Sequence, residues 1–461
     1  MKLENRNSSF YNLLASLSIA VLLIFSLVFS LERILSADTA TYLYNLVNER
    51  EFAFGSQRFI AAFTQLIPLF FLKLNASLAT VVAAYSFNMM LFHALVVLTI
   101  VFLFKDYKSA FVLLLSHLIA GSLLFYYPVS EYQMGLSLSI LLYSYVKTFK
   151  LYLSIKMHQF TLLFFLLLLI LYSHPLAIIF LAFLLAYFFL SVDGLNRKYF
   201  ALFISMSLLI WFSKYLFFAV PNDTSNLDLI KGLKLFPENA WTIFWRYSTS
   251  YDYVFLVLVP LTFLVLVIRK KWLLSALYFF FILIHLHMCL SKLGKSNFTW
   301  YSSHIFQALY FATSLIFIEQ VWDKLKKESL KKGLIFGLLI LGLIQIYNHR
   351  FYNQNRIAYI DNLLSKTLEQ GTNRGLIEPR FIASEYSEWF WALDIESLIY
   401  SSYKEDFQNS TVIIKSKEYT NLEELNSNDL FLVFWTSYNA SEQLDSSYFY
   451  LEPNRYKFVE L

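Results

Sequence analysis

Long apolar blocks recur along the first 348 residues, separated by short polar or basic stretches. They fall at residues 11–31, 80–104, 109–127, 134–146, 160–172, 176–191, 199–220, 253–268, 272–290, 303–322 and 333–347. Blocks of about 20 apolar residues cross a hydrocarbon core of ~30 Å as helices. The pattern predicts an all-α polytopic membrane protein with about 11 transmembrane helices over residues 1–348. One apolar block is left out of that count. Residues 59–74, FIAAFTQLIPLFFLKL, are short and broken by Pro68, and they are expected to lie in the interface as an amphipathic helix.

Basic residues set the orientation. Lys2 and Arg6 precede the first block, and Lys105, Lys108, Lys147, Lys150, Lys156, Arg197, Lys198, Arg269, Lys270 and Lys271 follow at alternate ends. The cluster DKLKKESLKK precedes the last block. Positive residues mark cytoplasmic loops, so the N terminus is expected inside and the segment after the last block outside. No cleavable signal peptide is evident, because the first apolar run is too long for one and ends without a small-residue cleavage site.

The pattern changes at Asn348: charges, Asn and Ser rise and long apolar blocks stop. Residues 355–370 keep helical spacing, with Ile357, Ile360, Leu363 and Leu364 on one face. Residues 389–403 read as a second helix, and residues 411–414, 431–435, 448–451 and 457–461 as short strands. Residues 349–461 are therefore expected to form a small external (periplasmic) α/β domain with room to bind protein partners. The chain has no internal repeat, which weighs against a transporter built from repeated halves.

Composition agrees: 58% of residues are apolar and 15% charged, against about 25% charged in ordinary soluble domains. In a membrane protein a net charge of +5 speaks of topology before partners. Cys289 is the single cysteine, which excludes an intrachain disulfide and a cysteine metal cluster. Heavy use of Phe, Tyr, Leu, Asn and Lys points to an AT-rich bacterium and its plasma (inner) membrane. No P-loop, dinucleotide fingerprint, zinc-protease helix or serine nucleophile elbow is present, and nothing suggests nucleic acid.

Ionisable groups at membrane depth are costly and mark function by default. The stretch 36–65, polar amid hydrocarbon-like sequence, carries Asp38, Arg50 and Arg58. Glu131, His174, Lys214, His285, His287, Lys292, Lys295 and His304 fall at the ends expected to be external. If the helices bundle, two carboxylates and several cations meet in one cavity. A carboxylate can deprotonate an acceptor while cations neutralise a departing phosphate. Each residue also has a structural reading. Asp38 suits a helix N-cap, Glu131 a solvated turn, and Lys214 a snorkelling side chain. His285 and His287 point about 200° apart on a helix and cannot share a metal. His93 and His117 lie mid-span as hydrogen-bonded packing residues.

This arrangement resembles the GT-C superfamily of integral-membrane glycosyltransferases, among them protein O-mannosyltransferases and lipid A aminoarabinose transferases. In that family an acidic residue follows the first span, matched here by Asp38 in SADTATYLYNLV. Two interfacial helices follow, here residues 39–48 and 59–74. A second acidic residue lies between spans three and four, matched by Glu131 in PVSEYQMG. The family's tight turn between spans five and six corresponds to Ser173-His174-Pro175, and its late basic residue to Lys292 or Lys295. The chain departs by having a lone Asp38 rather than an Asp-Glu pair, and His174 where Lys is frequent.

The resemblance implies an inverting transfer of sugar from a polyprenyl-phosphate donor to a glycan, lipid or protein. Asp38 and Glu131 would then be catalytic, with Arg58, His174, Lys214, Lys292, Lys295 and His304 binding substrate. No cofactor is certain, and a divalent cation is left open. The alternatives are a non-catalytic scaffold of the same fold or a transporter of a lipid-linked glycan.

Overall fold

The computed structural model describes residues 2–459 apart from residues 55–57, 120, 129–130, 152, 193–194, 219–240, 243, 246–248, 250–252, 294–298, 383–391, 405–408, 415–425, 427–428 and 432–438. The described chain is helical. Helices α1 (Lys2–Val28), α2 (Ser30–Ile34), α3 (Ala37–Glu49), α4 (Ala62–Lys73), α5 (Leu78–Leu98), α6 (Tyr107–Leu118) and α7 (Glu131–Thr148) come first. There follow α8 (Met157–Ser173), α9 (Ala177–Ser191), α10 (Arg197–Phe218), α11 (Tyr253–Ile268), α12 (Trp272–Leu293), α13 (Thr299–Ile316) and α14 (Glu328–Glu369), with α15 (Leu393–Lys404) near the end.

The apolar blocks of the sequence fall largely on these helices. Among the described residues three helices are long and apolar enough to cross a membrane, at Ser9–Val28, Leu78–Leu103 and Glu328–Glu369. Others are apolar but shorter, among them α8, α9 and α11. Large apolar side chains point outward, including Leu13 and Ile24 on α1, Leu95 on α5, Leu209 and Leu216 on α10, and Ile284 on α12. Water would not tolerate so broad an apolar surface; a bilayer would. Within hydrocarbon, helices are held by close packing rather than by exclusion of water. Gly342 of α14 supplies such an approach, since a Cβ there would lie 2.6 Å from Leu118 Cβ.

Residues 59–74 are helical, as expected, and pack against the bundle. They form a short 3₁₀ turn (Phe59–Ala61) and α4, and α4 folds back along α5 as an antiparallel hairpin. Asn88 Nδ2 donates to the Phe63 carbonyl at 3.0 Å, and Phe63 meets Phe92 with ring centres 6.3 Å apart. One expectation needs correction, at the last block. Helix α14 does not stop near residue 347; it runs unbroken for 42 residues, about 63 Å at 1.5 Å per residue. Residues 348–355 contain no Gly or Pro to break it, so the shift to polar residues records a change of surroundings and not of backbone.

Beyond α14 lies a three-stranded parallel sheet in the order β2 (Thr411–Ile414), β1 (Arg374–Ile377), β5 (Lys457–Phe458), with a small antiparallel pair β3 (Leu430–Phe431) and β4 (Asn439–Ala440). The central strand β1 was not anticipated. Its Arg374 is fully buried, and Nη2 lies 2.5 Å from Asp429 Oδ1 and donates to Ser441 Oγ at 2.7 Å. Residues 448–451 are not a strand. Residues 389–391 and 432–435 lie outside the described residues.

The C-terminal segment shares a core with the first loop. Leu43, Leu46 and Val47 of α3, with Leu72 and Val81, join Leu363 and Leu364 of α14, Leu398 and Ile399 of α15, and Phe449. The buried positions of α3 recur at helical spacing, and that face is what the tail covers. Polar contacts fasten the rim. Arg50 Nε meets Asp445 Oδ2 at 2.7 Å, and Tyr448 Oη donates to the Ala76 carbonyl at 2.9 Å.

Candidate functional site

Glu131 opens α7, and both of its carboxylate oxygens are engaged from the 36–65 stretch. Tyr42 Oη donates to Oε1 at 3.0 Å, and Arg58 Nη1 donates to Oε2 at 3.2 Å. Tyr42 stands four residues after Asp38 on α3, so the two share a helix face. Asp38 is close enough to feel both partners: burial foremost, then the charge of Glu131, pushes its carboxyl up to about 6, while the Arg58 cation opposes the rise. Asp38 is not the helix cap. Ser36 occupies that position, with Asp38 inside the first turn.

Arg58 is placed by the loop that carries it. Gln65, fully buried on α4, grips Ala53 twice, accepting from its N–H at 2.8 Å and donating to its carbonyl at 2.7 Å. This closes the polar stretch onto α4 and holds Arg58 just ahead of the 3₁₀ turn. A small open recess follows, lined by Tyr42, Gln65, Tyr85, Pro128, Glu131 and Met134. The Tyr85 hydroxyl is buried there without a hydrogen-bond partner among the described residues. Buried polar groups are almost always paired, so this hydroxyl marks a place where a ligand oxygen would be welcome.

The remaining candidates divide. His174 closes α8, its Nδ1 accepting from the Leu176 N–H at 3.1 Å and its ring 5.1 Å from that of Tyr132, the neighbour of Glu131. Lys214 is buried on α10 with Nζ 6.0 Å from the centre of the Tyr172 ring, two residues before His174. Both therefore belong to the Glu131 end of the bundle. The side chains of Lys292 and His304 lie outside the described residues, as does Lys295 entirely. His93 Nδ1 and His117 Nε2 meet Ser137 Oγ at 2.8 and 3.1 Å, the hydrogen-bonded packing role expected of them.

A divalent cation does not fit the cluster as it stands. Hard cations take six or more oxygen ligands, usually with several carboxylates. Here Arg58 and Tyr42 already occupy both oxygens of Glu131. Among the described residues no three His, Cys, Asp or Glu side chains gather as a metal site.

Sequence reasoning placed Asp38, Glu131 and Arg58 in one site but missed Tyr42 and Tyr85. Tyr42 was within reach, because the four-residue spacing from Asp38 is visible in the sequence. Tyr85 sits in an apolar block and carries no such sign. No protein-family model, curated protein or solved structure matches the chain.

Proposed function

We propose that this protein is a glycosyltransferase of GT-C type, moving a sugar from a polyprenyl-phosphate donor to an acceptor on the external face of a bacterial inner membrane. The observation that supports this most is the meeting of Asp38, Glu131 and Arg58, brought from two separate stretches to one end of a helical bundle. A carboxyl near neutrality is suited to general base catalysis, since it is ionised at working pH yet still basic. Asp38 takes the proton of the acceptor hydroxyl. The acceptor oxygen then bonds to the anomeric carbon, and the bond from that carbon to the phosphate oxygen breaks with its electron pair. Arg58 faces the phosphate that departs on the polyprenyl chain, and Glu131 holds Arg58 until substrate arrives. The displacement is single and inverts the anomeric centre.

An eleven-span topology with the N terminus inside is part of the same reading. Residues assigned to cytoplasmic ends meet one another: Lys147 Nζ lies 2.6 Å from Glu319 Oε1 and 3.3 Å from Asp106 Oδ1. Asp106 and Glu319 lie next to basic residues expected at inner ends, so the contact supports this reading. Residues 349–461 then sit outside, above the donor site, where a protein partner or the acceptor would approach.

The test is donor consumption. Purified protein in lipid nanodiscs is offered a panel of polyprenyl-phosphate sugars with a membrane extract as acceptor source, and released polyprenyl phosphate is measured. Release with at least one donor supports the enzyme. Absence of release across the panel favours a scaffold of the same fold.

A further inference from the structure

Asp38 follows a backbone kink that two distant side chains hold closed. Glu396 of α15 accepts the Ala37 N–H on Oε1 at 2.6 Å. Its Oε2 pairs with Arg356 Nη2, from the extramembrane part of α14. Arg356 Nη1 donates in turn to the Leu35 carbonyl at 2.6 Å. The two side chains thus bridge the residues on either side of Ser36, where α2 ends and α3 begins. Both are buried, Glu396 completely. Ala37 has φ +28°, a region a residue with a Cβ rarely adopts. Such a conformation persists only where the surroundings over-determine it, and the Glu396–Arg356 bridge supplies that constraint.

We propose that Glu396 and Arg356 are positioning residues, through which the C-terminal segment fixes the first turn of α3 and aims Asp38 at the site. The proposal rests on the reading of Asp38 as the base. A 42-residue helix and a sheet-bearing tail are thereby given a task in the reaction. If the tail is displaced, Ala37 loses its acceptor, the kink relaxes, and Asp38 turns away from Glu131 and Arg58. An acceptor or partner that docks on residues 349–461 has in this bridge a direct route to the catalytic carboxylate.

The experiment uses the full-length protein in nanodiscs and two variants, Glu396→Gln and Arg356→Lys. Glu396→Gln leaves the Arg356 cation without its carboxylate. Arg356→Lys keeps the charge but cannot hold the Leu35 carbonyl and Glu396 together. Hydrogen exchange is read over residues 37–42 and, as a control, over α5. The expected result is exchange faster by about tenfold or more in residues 37–42 of both variants, with α5 unchanged. Turnover should fall by a similar factor while the KM for donor barely moves, the mark of a base displaced rather than a binding site lost. Should Glu396→Gln fail to reach the membrane folded, Arg356→Lys carries the same reading alone. Unchanged exchange at residues 37–42, or exchange raised equally in α5, overturns the clamp. Faster exchange in a protein whose wild type transfers no sugar leaves the clamp standing and removes the glycosyltransferase reading instead.

Discussion

Arg58 and Glu131 lie 73 positions apart in sequence, and Arg58 Nη1 lies 3.2 Å from Glu131 Oε2. This contact joins the polar stretch after α1 to the start of α7, and Asp38 senses both of its charges. Its energetic meaning is asymmetric. Breaking a buried ion pair by removing one partner costs far more than the pair contributes, because the other charge is stranded.

The pH dependence of transfer follows from that relationship. Asp38 must be ionised to act as a base, so the rate should fall as pH drops through about 6. Arg58→Gln removes the cation that holds this value down, and the acid limb should move up by about one pH unit. Glu131→Gln removes the negative charge that pushes it up, so the limb should move down. A pH–rate profile of the three proteins, each measured at saturating donor, checks both directions. Limbs that coincide in all three proteins would separate Asp38 from the chemistry.

Stability should move against activity at Asp38. Its folded value is raised above the ordinary ~3.9 of an unfolded aspartate, so stability is full below pH ~4 and declines as pH rises through about 6. Asp38→Asn should therefore raise the stability of the purified protein near neutral pH by on the order of 1 kcal/mol, allowing for the partial solvent access of the side chain. Thermal unfolding in detergent shows this as a higher Tm for the variant at about pH 7.5 and a vanishing difference near pH 4. A lower Tm at neutral pH would mean that Asp38 is a structural residue.

Tyr85→Phe separates binding from folding in the same way. The hydroxyl is buried without a partner among the described residues, so its removal should leave Tm unchanged or raise it by a few degrees. If the recess holds a substrate oxygen, the KM for donor should rise by roughly 5- to 20-fold, as for one lost hydrogen bond. A fall in Tm with KM unchanged would assign the hydroxyl to the fold.

Helix packing gives a prediction free of any function. A Cβ at Gly342 meets Leu118 Cβ at 2.6 Å and its backbone at 3.0 Å, whereas Gly333 and Gly337 have nothing within 4 Å. Gly342→Ala should cost about 1–3 kcal/mol by prising α14 from α6. Gly337→Ala should be neutral or stabilise by up to ~1 kcal/mol, as expected in a helix interior. Thermal unfolding of the two single variants decides it.

Much of the architecture was legible because hydrocarbon solvent leaves a one-dimensional trace. The apolar blocks fall largely on helices, and Lys147 at the end of one of them pairs with Asp106 and Glu319. Asp38 and Glu131 stood out for the same reason, as charges next to apolar sequence. What stayed hidden depends on long-range contact. Nothing at residues 348–355 announces that α14 continues, since composition reports surroundings and not backbone. Strand β1, with Arg374 and Gly375 at its head, lacks the β-branched run that marks a strand, and it is set by parallel pairing to β2 and β5. Glu396 and Arg356 look like ordinary surface charges in sequence. Only the fold reveals that they hold Leu35 and Ala37, more than 300 residues away.

The central claim is that Asp38 is the base of a sugar transfer, and single-turnover transfer from a polyprenyl-phosphate sugar by wild-type and Asp38→Asn protein tests it most directly. General base catalysis contributes about 10²–10⁴ in rate. Asp38→Asn is expected to lose rate within that range, with donor affinity retained and the fold intact. Equal rates in the two proteins would contradict it.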